Sequence, residues 1–435
     1  MLYRRMVETQ SVCLRRLGKD RAGEVCFGRW LRNKKVTRQE LMAVGCARTG
    51  LLATGLHVLA IHDTSEINYQ RHADRVSGLG TVGNGKDAGL FIHPLLAVDA
   101  ASGACLGLAH QHQWLRMEKA GKRKQLPIEE KESYRWLKVA QAGKRCLSEA
   151  AMVTIIADRE SDIYEEWDRI PDDKTHLLTR ACQNRKLANG EMLFESLDRQ
   201  PVVGCYGLDV VGRAGERTAH RAQMEIRYSE VEIQRPAHCK DKTAKPSIKL
   251  YAIDVREQAS SVIGMEAPIH WRLLTTHRID TIEAALLCVD WYCLRWTIEQ
   301  LFRTLKRQGL NIESSQVETA DSLMKLVCLT TQAAVSTMQL TLAREGQTDR
   351  PATDVFDHAA IDVMKTIQPQ VEGRTVQQKN PHPQGTLAWA AWLIARLGGW
   401  KGYASEAKPG PITMLRGQQR FSAMHEGWKL AKMCA

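Results

Sequence analysis

The most informative hydrophobic rhythm in this chain is helical and runs from Asp290 to Gly309, DWYCLRWTIEQLFRTLKRQG. Set at about 100° per residue, Leu294, Ile298, Leu301, Phe302 and Leu305 share one arc of about 100°, the stripe of a core-facing helix. Tyr292, Arg295, Glu299 and Lys306 fall on an adjacent arc of about 60°. A carboxylate between two cations and a phenol, at the margin of a buried stripe, suits an anionic substrate plus a metal. The same spacing occurs on solvated helices, where Arg295 and Glu299 would be an i,i+4 pair worth a few tenths of a kcal/mol. The pattern therefore needs partner carboxylates elsewhere. The region reads as one helix, or as two with a break near Asp290, and Asp280 with Glu283 reads as its N-terminal cap.

A second rhythm is the continuous apolar run. LHVLAIHD ends at Asp63, and the run from Met152 to Ala157 ends at Asp158, as strands buried on both faces do. THLLTRA and HWRLLTT, the latter from His270 to Thr276, read as further core strands. GLFIHPLLAVDAASGACLGLAHQHQWL reads as two strands joined by a turn at Ala101, Ser102 and Gly103. Helices are expected from about Ile128 to Ala150 and from near Ser161. Residues 183–268 change to short alternating segments with a Lys-rich interruption, the texture of an antiparallel β insertion.

Residues 1–50 look helical and basic, with Arg4, Arg5, Arg15, Arg16, Lys19 and Arg21, and Thr37 with Glu40 forms a capping box. A DNA-contacting module and a solvated bundle fit them equally. Beyond Gly309 come amphipathic helices to about Gln368, the polar linker EGRTVQQKNPHPQG, a helix in LAWAAWLIARLGGWKGY, and a short helix from Met424 to Met433. Trp389, Trp392 and Trp400 read as core packing, within this chain or against another copy. The expected segments are a helical 1–50, a first core part 51–182, the insertion 183–268, a second core part 269–368 and a helical 369–435.

Composition narrows the function. A chain of 435 residues supports two or three domains. Lys and Arg (61) exceed Asp and Glu (49), a net charge of +12 that predicts a polyanionic partner, nucleic acid first. The twelve cysteines show no zinc-site spacing and read as reduced thiols of a cytosolic protein. MLYRRMVETQ lacks an apolar signal region, and no apolar run reaches the roughly 18 residues of a membrane span. The expectation is a soluble intracellular protein without a membrane partner.

Asp63 and Asp158 stand at the C-terminal ends of core strands, where open α/β sheets place ligands. With Glu299 on a later helix, they supply three carboxylates in the order strand, strand, helix. Such a set holds two divalent ions about 3.5–4 Å apart for in-line displacement at phosphorus, and its all-oxygen donors suit Mg²⁺.

The spacing Y-x₂-R-x₃-E-x₆-K, with AIHDTSEINY, ADRESDIY, HWRLLTT and IARLGGWKGY in order, resembles the IS4-type DDE transposases over nearly the whole chain. The resemblance implies a ribonuclease-H-like mixed sheet core, of α/β class, carrying a β insertion and flanked by helical N- and C-terminal domains. It implies that Asp63, Asp158 and Glu299 are catalytic and bind two Mg²⁺ ions, with Mn²⁺ able to substitute. It implies that Tyr292, Arg295 and Lys306 hold DNA near the scissile phosphate, and that Trp271 stacks on a base flipped out during hairpin formation. Arg180, Arg185 and Lys186 are expected to contact the DNA backbone. The implied partners are double-stranded DNA, as terminal inverted repeats and target, and a second copy of the chain in a nucleoid-associated, cytoplasmic complex. Relatives begin with further residues, so the chain is expected to start inside its first helix. The alternative is a shortened, DNA-binding or dimerising inhibitor of transposition.

Overall fold

The computed structural model describes residues 1–116, 126–212, 217–264, 266–307, 309–403 and 406–434. Four helices open the chain: α1 (Leu2–Thr9), α2 (Leu14–Gly18), α3 (Arg21–Arg32) and α4 (Arg38–Leu52). Five strands follow, β1 (His57–His62), β2 (Ser65–Asn68), β3 (Gly80–Val82), β4 (Asp87–Asp99) and β5 (Cys105–Trp114). Next come α5 (Tyr134–Cys146), β6 (Met152–Ala157), α6 (Tyr164–Arg169), β7 (Thr175–Arg180) and α7 (Leu193–Asp198). Then come β8 (Gly204–Val210), β9 (His220–Gln234), β10 (Ser247–Glu257) and β11 (His270–Thr275). Helices close the chain: α8 (Ile282–Cys293), α9 (Trp296–Lys306), α10 (Ala320–Ala343), α11 (His358–Val371), α12 (Leu387–Leu397) and α13 (Pro411–Cys434). The class is mixed α/β, as the sequence predicts. By compactness the chain divides into one unit of residues 1–119, 145–151 and 296–435, and a second of 120–144 and 152–295.

In the first unit β4 is the hub of the sheet. One of its edges pairs antiparallel with β1 and β2, placing Ala60 opposite Ala97 and Glu66 opposite Phe91. Its other edge takes β3 and β5. The β4–β5 register shifts twice, and Gly107 lies at the second shift with φ of +151°. A Cβ there would meet the Thr49 hydroxyl of α4, so the glycine permits that close approach. The predicted Thr37–Glu40 capping box starts α4.

Helix α10 occupies the middle of this unit's helices, packing on α1, α3, α4, α9, α12, α13 and β5. It was expected to be amphipathic, but partners on every side leave it no wet face. It is long and apolar enough to cross a membrane by length and composition, yet 89% of the relevant window is buried inside the protein. Lys325 is buried with it, donating to the carbonyls of Leu31 (3.1 Å) and Asn33 (3.0 Å) and pairing with Asp321 at 2.6 Å. Trp389 and Trp392 pack into a cluster with α11 and α13, with Trp400 against its margin, so these indoles serve this chain's own core. The last helix begins at Pro411 rather than near Met424. Its first half, including Met414 and Phe421, is drawn into that core.

In the second unit β6 and β7 run parallel, and β11, β10, β9 and β8 follow antiparallel in that order. The insertion strands therefore continue the β6–β7 sheet. β8 alternates between half-buried and exposed positions, the period of a strand with one wet face. Asp158 caps a short 3₁₀ turn over Arg159–Ser161, so α6 starts at Tyr164, later than the expected Ser161. Helix α8 is capped by Thr281, whose hydroxyl accepts from Ala284 N–H, while Asp280 instead pairs with Arg278 at 2.5 Å. The signature stretch is two helices, and its break lies at Leu294–Arg295, not at Asp290.

Candidate functional site

The second unit gathers most of the predicted DNA-contacting side chains around Tyr292. The apolar run of β6 delivers Asp158 to the strand end, half-buried, with Oδ1 accepting the Glu160 N–H at 2.9 Å. Tyr292, in the last turn of α8, is only 4% exposed. The Trp271 ring meets it edge-on, with centroids 5.9 Å apart. The Arg295 guanidinium lies 5.9 Å from the same ring, and Arg295 and Arg180 both act electrostatically on the phenol. Burial pushes the phenol pKa up, the two guanidiniums draw it back, and the Asp158 carboxylate raises it again. Burial lowers the Arg180 pKa, while Arg180 also donates to the His270 carbonyl at 2.9 Å. One phenol, one indole and two guanidiniums beside a carboxylate can hold a phosphodiester and an extruded base.

Arg185 lies in different surroundings. Its guanidinium is buried in an ion pair with Asp162 at 2.6 Å and lies 4.8 Å from the Trp167 ring. Asp162 also accepts the N–H groups of Cys182 (2.8 Å) and Gln183 (2.9 Å), so the pair fastens the chain after β7. The Arg185 side chain is 4% exposed. Its neighbour Lys186 is exposed.

In the first unit Asp63 follows β1, whose residues Val58 to His62 are fully buried. The Asp63 Oδ1 accepts the Thr64 N–H at 2.7 Å. Glu299 is half-buried in the first turn of α9, on the flank of the face that Ile298, Leu301 and Leu305 sink into the core. Phe302 and Leu294 are only partly covered, and Thr297 and Thr304 complete the buried face. Lys306 ends the helix. Burial lowers its pKa and the carboxylates of Glu313 and Glu66 raise it. Glu313 is itself held, its Oε1 accepting the Asn68 N–H at 3.0 Å.

The four-residue signature is thus carried by two helices and the turn between them. Leu294 N–H reaches the Trp291 carbonyl at 3.1 Å and Arg295 N–H the Tyr292 carbonyl at 3.0 Å, a tightened turn that ends α8 before α9 begins. Tyr292 and Arg295 belong to the second unit, Glu299 and Lys306 to the first. Among the described residues neither unit alone gathers three His, Cys, Asp or Glu side chains into a metal-holding group. The three candidate carboxylates are divided, Asp63 and Glu299 in one unit and Asp158 in the other. Their donors are all oxygen, which fits a hard divalent cation.

Sequence reasoning passed over His62 and His93. Both are fully buried, and they form a hydrogen-bonded pair beside Asp63. The only signal was an imidazole at the end of one largely apolar strand and another within a second.

Residues 139–335 match the family described as the transposase DDE domain, under half of the chain. That segment includes Asp158, Trp271, Tyr292, Arg295, Glu299 and Lys306, and it begins after Asp63. Among solved structures, the cryo-EM structure of the piggyBac transposase synaptic complex with hairpin DNA is similar at 10% identity and a TM-score of 0.31. The match covers 68% of this chain and 53% of that one, so the chain spans about half the length of the solved relative.

Proposed function

On the premise that residues 139–335 are a transposase DDE domain, we propose that the protein is an IS4-type transposase performing metal-dependent cut-and-paste transposition of an insertion sequence. The observation that carries this reading is the cluster of Trp271, Arg180 and Arg295 on Tyr292 beside Asp158, inside the matched segment. A ribonuclease-H-like core would bring Asp63, Asp158 and Glu299 to one site, and these carboxylates would hold a pair of Mg²⁺ ions, or Mn²⁺ in their place. Bound there, the cations would activate an attacking water or 3′-hydroxyl and offset charge on the leaving oxygen.

The protein's own groups do the rest. Arg180, Arg295 and Lys306 counter phosphate charge, the guanidiniums by paired hydrogen bonds. Tyr292 would hold DNA near the scissile phosphate together with Arg295 and Lys306. Trp271 offers a face to a base extruded as a hairpin forms, offsetting the few kcal/mol that unstacking costs. The partners are the terminal inverted repeats, the target DNA and a second copy of the chain in a nucleoid-associated complex.

The test is direct. Full-length protein with DNA bearing the element's ends and Mg²⁺ should nick the strand at the end, and Glu299→Ala should abolish nicking while leaving DNA binding in place. Nicking that persists undiminished in Glu299→Ala would refute the assignment.

A further inference from the structure

We propose that His93 and His62 are positioning residues for the Asp63 carboxylate, acting through Thr64. The proposal rests on the reading of Asp63 as a metal ligand. The two imidazoles are fully buried, so neither touches DNA, substrate or solvent. They stand on adjacent strands, His62 at the end of β1 and His93 in β4, with ring centroids 5.1 Å apart and planes at 72°. His93 Nε2 lies 3.2 Å from His62 Nδ1, and His93 Nδ1 lies 2.8 Å from Thr64 Oγ1. Thr64 in turn donates its backbone N–H to Asp63 Oδ1 at 2.7 Å. Thr64 thus joins the imidazole pair, through its hydroxyl, to the carboxylate, through its backbone N–H.

Two buried imidazoles are an expensive way to fill space. Polar groups taken from water cost free energy unless bonded, and an apolar pair of similar volume would pack between these strands without that demand. What apolar side chains cannot do is grip the Thr64 hydroxyl. With Oγ1 held by His93 and the N–H engaged by Asp63, Thr64 has one rotamer and one backbone orientation. The carboxylate it caps is aimed before any cation arrives. The role is orientation, of the kind that partners behind a metal's direct ligands perform.

The experiment is a Mn²⁺ titration of the full-length protein, followed by electron paramagnetic resonance, with circular dichroism and Tm as checks on folding. Thr64→Val, which keeps shape and removes the hydroxyl, should weaken Mn²⁺ binding about tenfold or more, and His93→Phe likewise, the range found when such supporting partners are removed. Thr64→Ser should restore binding to within about twofold of the parent, well below that loss. Unchanged Mn²⁺ affinity in folded Thr64→Val, alongside lost affinity in Asp63→Ala, would overturn the positioning role and leave the ligand assignment standing. Unchanged affinity in Asp63→Ala would overturn the ligand assignment, and this proposal with it.

Discussion

Arg185 and Lys186 are neighbouring cations in very different surroundings. Lys186 is exposed, whereas Arg185 is sealed with Asp162 beneath the chain that follows β7. Removing one member of a buried pair strands the other charge, so Arg185→Ala should cost roughly 3–5 kcal/mol in urea unfolding. Lys186→Ala should leave stability unchanged within about 0.5 kcal/mol. Glu166 gives a second prediction at this scale. It is fully buried beside Ser161, whose hydroxyl donates to it at 2.5 Å, and burial pushes its pKa from the ordinary 4.5 up to about 8. The folded chain thus keeps a proton that the unfolded chain releases near pH 4.5. This raised pKa gives a contribution present in full below that value and lost as pH rises toward 8. Unfolding free energy should therefore fall by a few kcal/mol between about pH 5 and pH 8, and Glu166→Gln should flatten that slope. An equal slope in both proteins would count against the assignment. Neither residue announced itself in the sequence, because a buried Arg or Glu is spelled like an exposed one. Only the fold supplies the partner.

At the scale of elements, strands were the most legible. Continuous apolar runs ending in Asp63 and Asp158 became β1 and β6, because a strand covered on both faces has no polar alternation to confuse the reading. The capping box at Thr37 was readable because its two halves are local. Asp280 misled for the same reason: two capping residues stand side by side, and Thr281 has the φ and ψ that aim its oxygen at Ala284 N–H. The break at Leu294–Arg295 lacks a glycine or proline to mark it, so the periodic pattern did not show where the two helices part. Gly417 lies within α13, seven residues before the expected start at Met424. Its missing Cβ lets α13 lie against the Ile394 carbonyl of α12. Gly417→Ala, favoured by helix propensity alone, should instead lower Tm by several degrees in a thermal scan, since backbone must move to admit the methyl. A raised Tm would show that the helices separate at little cost.

Across the whole molecule, the excess of twelve positive charges predicts binding to DNA that is steep in salt. If about five phosphates are neutralised, a plot of log affinity against log salt should fall with a slope near −4.5. A slope shallower than about −2 would mean the cations serve elsewhere. Helix α10 has its own consequence at this scale. Its partners α1, α3 and α4 are made early in synthesis, yet the helix they enclose begins only at Ala320, and α12 and α13 come later still. The opening helices therefore leave the ribosome long before the surface they are shaped to cover. Until then their oily sides have only each other or a chaperone for company, and the nascent chain is most vulnerable to aggregation when more than half of it already exists.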